Sequence, residues 1–284
     1  MKLSANMIRI HDAFGIRETF DIFARVGFQG MDFNNDVRQY FDDTHDDDFF
    51  VELGTYAREK GITIGQAHAP FPSSYPEEEK TAQRFNDIVQ GMRKAALLGA
   101  PMIVIHACTH LDYASNAEAM FEYNLDFYRR LIPYAREFGI KIAIENIGRV
   151  SVVSTPERLN RLYDTLNDTV FTICFVVGHC LLQGVDPAEA IRELGERLVD
   201  GCTHVHDNNG EADSHTLPFY GKVKWDEVMR ALADIGYRGD FNYEASNFLR
   251  DLPRELYIDG LAYMAKVGQY LIGKFNEYSE KING

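Results

Sequence analysis

The segment GIKIAIEN, residues 139–146, decides the fold. Gly139 closes a helical pattern, Lys141–Glu145 is a short apolar run, and a carboxylate stands at its last position. Helical periodicity on both sides of such a run is what a parallel sheet covered by helices produces. Outward from this segment the same unit recurs. Candidate strands lie at Lys2–Met7, Gly30–Phe33, Thr63–Ala67, Met102–His106, Lys141–Glu145, Thr172–Val177, Cys202–His206 and Phe241–Glu244. Helical patterns fill the intervals, as at Glu77–Leu98 and at Asn116–Phe138 with Met120, Phe121, Leu125, Tyr128 and Leu131 on one face. Thr155-Pro156-Glu157 and Asp186-Pro187-Ala188 read as N-caps followed by proline, and Gly27, Gly61, Gly99, Gly139 and Gly236 read as helix ends. Eight such units predict an α/β fold, a single (β/α)8 TIM barrel over residues 1–284. A doubly wound open sheet would carry a glycine-rich phosphate loop after its first strand, and none follows Lys2–Met7.

Composition supports a sizeable core, with 45% hydrophobic and 25% charged positions among 284 residues. Twenty-nine basic against 43 acidic residues give a net charge of −14, which argues against a nucleic-acid partner. No apolar stretch is long enough to span a membrane, and the N-terminal MKLSANMIRIHDAFG has no long apolar core behind Lys2. Cys108, Cys174, Cys180 and Cys202 lack CxxC spacing and are expected as buried thiols in a reducing, cytoplasmic setting. The acidic run DDTHDDD, Asp42–Asp48, is expected to be a solvated helix start.

The chemistry collects at the strand ends. His68, His106, Glu145, Val176, His204 and Glu244 follow one another at intervals of 28 to 40 residues, one β/α unit each. In a barrel these ends converge on one face. Six of the nine histidines, His68, His106, His179, His204, His206 and His215, fall at or just after them. Imidazoles and carboxylates crowded into one closed space repel protons unless a cation joins them, so a divalent metal with mixed N and O ligands is expected. Asp213-Ser214-His215 adds two further ligand types. Trp225, the one tryptophan, is expected to anchor a helix start under the barrel.

With these residues in hand, the chain resembles the xylose-isomerase-like TIM barrels, a superfamily of sugar isomerases and epimerases that also contains endonuclease IV. The resemblance rests on Gly27–Phe33, Ile144-Glu145-Asn146, Gly178-His179-Cys180, His204–Gly210, Asp213-Ser214-His215, Pro218–Trp225 and Tyr243-Glu244. It implies a metal site of glutamate, aspartate, histidine and glutamate from strands five to eight. Glu145 and Glu244 match the glutamates, as ligands and as the catalytic acid–base pair. The histidine matches His204, with Asp207 as the acid that follows it, and His206 is the alternative. The expected aspartate is replaced by Val176, so a relocated ion held by His179, Asp213 and His215 is anticipated. Substrate contacts are expected from His68, His106, His179 and His206.

The resemblance implies a metal-dependent isomerase or epimerase of a small sugar, keto-sugar or related polyol, working through an enediolate with manganese, zinc or magnesium. A free sugar is favoured over a sugar phosphate, because no phosphate loop is evident and Lys222 and Lys224 are the nearest basic residues. Two alternatives remain. Val176 motivates a metal-impaired barrel that binds a ligand or partner without catalysis. In the endonuclease branch His68, His106, His179, Asp213 and His215 would complete a three-zinc cluster, against which the acidic Ser73–Glu79 and Glu211–Asp213 segments count. A homo-oligomer is compatible with either enzyme class.

Overall fold

The computed structural model describes residues 1–34, 37–42 and 44–283. Eight strands alternate with helices: β1 (Leu3–Asn6), β2 (Gly30–Asn34), β3 (Thr63–His68), β4 (Met102–Ile105), β5 (Lys141–Glu145), β6 (Phe171–Val176), β7 (Cys202–His204) and β8 (Phe241–Tyr243). Each coincides with an expected strand to within two residues, and all the pairings are parallel. The sheet runs β7-β6-β5-β4-β3-β2-β1-β8. It is closed by the Val205–Tyr243 bridge, with Val205 N donating to Asn242 O at 2.7 Å and Glu244 N to Val205 O at 3.0 Å. The chain forms a (β/α)8 barrel.

Local chemistry sets the helix ends. Asp186 Oδ1 accepts from Ala188 N at 2.9 Å, and Thr155 Oγ1 caps the helix Pro156–Leu166. Gly27, Gly99 and Gly139 close their helices in the left-handed region, which costs glycine nothing. Asp46 caps the helix Asp47–Glu59 and Asp47 and Asp48 fill its first turn, as the acidic run suggested; Asp43 of that run lies outside the described residues.

Strand alternation divides the side chains. Ile103, Ile105, Ile142, Ile144, Ile173 and Phe175 face the helices and join the main core, each contributing about 1.5–3 kcal/mol by burial. The other face points into the barrel, where Val104, Ala143, Cys174 and Cys202 form an apolar floor. Above that floor lies a buried polar layer. Asp32 Oδ2 accepts from Gln66 Nε2 and Asn242 Nδ2, both at 3.2 Å, while Ser4 Oγ donates to Asn242 Oδ1 at 2.9 Å. All four cysteines are free and buried. Among the described residues no helix is long and apolar enough to cross a membrane.

Candidate metal and active site

Glu145, at the end of β5, is the hub of the C-terminal face and is almost fully buried. Its Oε2 lies 3.3 Å from His68 Nε2, 3.2 Å from His106 Nε2 and 3.6 Å from His204 Nδ1. Burial alone would raise this carboxyl, but the imidazoles of His106 and His204 outweigh it and hold the group well below the usual carboxylate range. His68 Nδ1 sits 2.8 Å from the Ala69 carbonyl oxygen. A carbonyl can only accept, so Nδ1 carries a proton and Nε2 faces Glu145. Burial works against a charge on His68, yet Glu145 lifts its pKa to about 9.

His204 stands in the polar layer between three carboxylates. Its Nε2 is 3.1 Å from Asp32 Oδ2, and its Nδ1 is 3.6 Å from both Glu145 Oε2 and Glu244 Oε2. Burial opposes the cation, but the charges of Glu244 and Glu145 raise the pKa far above that of a free imidazole. Glu145 Oε2, His204 Nδ1 and Glu244 Oε2 are all buried without a hydrogen-bond partner, the two carboxylate oxygens each 3.6 Å from the ring nitrogen. Val176, paired with His204 in the β6–β7 register, is fully buried beside them and adds no donor.

A second cluster lies alongside. His179 Nε2 and His215 Nε2 each stand 3.2 Å from Asp213 Oδ2, and His206 Nε2 is 3.7 Å from Asp213 Oδ1. One donor atom from each of these four residues lies within 4.8 Å of all the others. His179 Nδ1 is 2.8 Å from Asn146 O and His215 Nδ1 is 2.9 Å from Glu244 O, so both rings have Nδ1 protonated and Nε2 turned inward. His206 stacks on His215 with centroids 3.9 Å apart, and neither of its nitrogens has a partner. Burial, with the charges of His215 and His179, pushes its pKa well below the ordinary value, so it is a neutral ring ready to donate a lone pair. Burial would raise Asp213, but hydrogen bonds from His179 and His215 hold it ionised, and against its own burial His215 is lifted to about 9. Gly178 makes room for this arrangement: a Cβ there would come within 2.2 Å of His206 Cε1.

Three groups among the described residues can therefore hold a metal: His179–His206–Asp213–His215, His68–His106–Glu145 and Glu145–Cys174–His204. The orphaned nitrogens of His206 and the unpartnered Glu145 Oε2 and His204 Nδ1 are what a cation would satisfy, so the donor set fits a divalent ion with N and O ligands.

Above the clusters opens a cavity of about 610 Å³ whose wall includes Glu145, Glu244, His68, His106, His179, Asp213 and His215. His204 and His206 lie beneath it, off the wall. Phe71 forms an apolar side, stacking on His106 at 4.8 Å and meeting His68 edge-on at 5.5 Å. Asp207 takes no part: its carboxylate accepts from Phe219 N, Val223 N and Trp225 Nε1, and so ties down the loop before the helix Trp225–Asp234. Trp225 is buried at that helix start, as expected. Sequence reading gave no role to Asp32, Cys174, Gly178 or Phe71, although strand alternation would have turned Asp32 and Cys174 inward with His204.

The histidines and carboxylates thus stand at the C-terminal mouth of a closed (β/α)8 barrel, the face on which barrels of this class carry their sites. Residues 20–267 match the family described as xylose isomerase-like TIM barrel, and the chain belongs to that family. An uncharacterised protein of Methanocaldococcus jannaschii is 31% identical over 65% of this chain, which spans 64% of that relative's length. Fructoselysine 3-epimerase of Escherichia coli O157:H7 is 24% identical over 66% of this chain and 70% of its own. A crystal structure of a D-tagatose 3-epimerase-like protein superposes with a TM-score of 0.76 at 21% identity, covering 99% of this chain and 100% of the other.

Proposed function

We propose that this chain is a metal-dependent epimerase or isomerase of a small keto-sugar, moving a proton on the carbon beside a carbonyl. The observation that carries this reading is the pair of carboxylates, Glu145 and Glu244, on the wall of one cavity with their Oε2 atoms each 3.6 Å from His204 Nδ1. The sugar-epimerase relative supports the reaction class.

The ion would be held by His179, His206, Asp213 and His215, the set that remains complete where Val176 has removed a donor from Glu145, His204 and Glu244. When bound, a divalent ion on those four residues would supply Lewis acidity toward the substrate's carbonyl oxygen. The chain's own groups do the rest. Four imidazoles, His68, His106, His179 and His204, lie within 3.8 Å of Glu145 and two, His204 and His215, lie 3.6 Å from Glu244, so the less encumbered Glu244 removes the carbon-bound proton. The electron pair of that C–H bond passes to the carbonyl oxygen and gives an enediolate. The His68 imidazolium, 3.3 Å from Glu145 Oε2, supplies the returning proton: it passes through Glu145 to carbon from the opposite face and leaves His68 neutral, and the proton taken up by Glu244 goes to solvent as His68 is recharged. Phe71 covers the apolar C–H face of the sugar, and burial under it keeps bulk water from the carbanion. His206 serves as a ligand in this reading instead of as a substrate contact.

The His68–His106–Glu145 group favours a second reading, a multi-zinc phosphodiesterase, and the net charge of −14 counts against it. Elemental analysis of chain purified without chelator separates the two: about one ion per chain is expected for the epimerase, and two or three zincs favour the phosphodiesterase. The reaction itself is tested by solvent deuterium uptake into a panel of ketoses, with Glu244→Gln and Glu145→Gln as controls. Absence of uptake in the metal-replete chain refutes the catalytic reading and leaves a non-catalytic barrel.

A further inference from the structure

We propose that Arg149 reads an anionic group, a carboxylate or phosphate, at the end of the substrate remote from the reacting carbons. The proposal deepens the sugar-epimerase reading by naming the substrate class as anionic ketoses. Arg149 follows Glu145 by four residues, in the loop after β5, and lines the main cavity together with Thr109, to whose hydroxyl its guanidinium is joined. It is the one lysine or arginine among the described residues of that wall. Lys222 and Lys224 are not on it, and Lys224 pairs with Asp186 at 3.5 Å.

Arg149 is also set apart by what it does not hold. Arg136, Arg161, Arg197 and Arg238 each grip a carboxylate across the barrel's outer surface. Arg149 has no such ion pair among the described residues; its Nη2 donates to the hydroxyl of Thr109 from the loop after β4. One arm of the fork is thus fixed, and the rest of the guanidinium remains for a ligand. The same two residues, Thr109 and Arg149, line a second cavity of about 290 Å³ between the two loops, with His110, Asp112 and Ser151. They are the seam between the two spaces. A substrate with its carbonyl near Glu244 would extend its far end to this seam. Asp112 caps the helix Tyr113–Phe138 through Ser115 N and holds negative charge inside the second cavity, which confines an anion to the seam.

Charge explains why a dedicated cation would be needed. The other cationic groups of the wall, His68, His179 and His215, are engaged by Glu145 and Asp213, so Arg149 is the cation there with no carboxylate partner among the described residues. Arginine suits the task, because its planar fork pairs with two oxygens of a carboxylate or phosphate at once.

Calorimetry on the metal-replete chain tests this with D-fructose, D-fructose 6-phosphate and 5-keto-D-gluconate. At low salt at least one anionic ketose is expected to bind about tenfold or more tightly than fructose, and whichever does identifies phosphate or carboxylate. Arg149→Met is expected to bring that ratio close to unity, and Arg149→Lys to restore part of it. Arg25→Met, on the outer helix Ile16–Val26, makes the same change in net charge and is expected to keep the ratio. A parent ratio near unity, no binding of either anionic ketose, or an equal fall for all three ligands in Arg149→Met overturns the proposal. Deuterium uptake run on the same samples keeps the two readings apart. Arg149-dependent preference without uptake supports this site and refutes catalysis, whereas uptake into fructose without preference does the reverse.

Discussion

Gly178→Ala tests the second cluster by perturbing a residue that is not itself a ligand. The added Cβ would stand 2.2 Å from His206 Cε1, 2.4 Å from His206 Nδ1 and 2.8 Å from Asn208 Nδ2. The imidazole is fully buried and stacked on His215, so it cannot swing into solvent. Overpacking of this kind costs about 1–3 kcal/mol. Alanine in the helix Val177–Leu182 returns about 0.5–1 kcal/mol through its better helix propensity, so a net loss of at most about 2.5 kcal/mol is expected. The effect on metal is larger. Displacing His206 removes one of the donors around the common point, and even outer-shell changes of this type cost roughly 10–100-fold in affinity. Urea unfolding of the apo chain and zinc titration against a chelator of known affinity measure the two effects separately. His206→Ala relieves the ring overlap and leaves only the Asn208 contact, so Gly178→Ala should cost less in that background. Equal stability losses in both backgrounds, or parental zinc affinity in Gly178→Ala, would refute the reasoning.

Three further outcomes are expected. Asp32→Ala leaves Gln66, Asn242 and a charged His204 without their shared acceptor and should cost about 3–5 kcal/mol in urea unfolding; Asp32→Asn keeps the shape and should lose less, and a loss under about 1 kcal/mol for the alanine variant would contradict the buried network. His215 has its pKa raised from 6.5 to about 9 in the folded chain, so it stabilises the apo protein fully below pH 6.5 and loses that contribution as pH rises through about 9. A metal must displace the same proton, so zinc affinity should climb by about tenfold per pH unit across that window while apo stability falls, and a pH-independent affinity would count against His215 as a ligand. Val176→Asp places a carboxylate beside Glu145, His204 and Glu244; elemental analysis should find about one ion per chain more than in the parent, and an unchanged metal content would show that this second set does not bind.

The eight strands, their parallel order and the helix ends were legible because they are written in local signals. Short apolar runs between helical patterns, proline after Thr155 and Asp186, and left-handed glycines at Gly27, Gly99 and Gly139 act over a few residues. The same locality gave the strand-end residues Glu145, His68 and His106 their common face. It left His204 and His206 unresolved, since residues two apart on a strand share a side. The structure separates them because the ladder ends at the Val205 bridge to β8 and the chain then leaves the barrel, carrying His206 to His179 and His215 over Gly178. Asp207, which fits the acid of the sequence pattern, is turned by that departure toward Trp225.

By itself, then, the sequence determined a barrel with imidazoles and carboxylates at its C-terminal rim. Tertiary structure decided how they are grouped: Asp32 beneath His204 from 172 positions away, Asn146 and Glu244 carbonyls orienting His179 and His215, and Arg149 meeting Thr109 at the seam of two cavities. The physical reason is closure. Alternation fixes which side of a strand a residue faces, but the angle at which eight strands meet and the path of each loop beyond them fix which donors come within a few ångströms. Those distances set every charge state in the site.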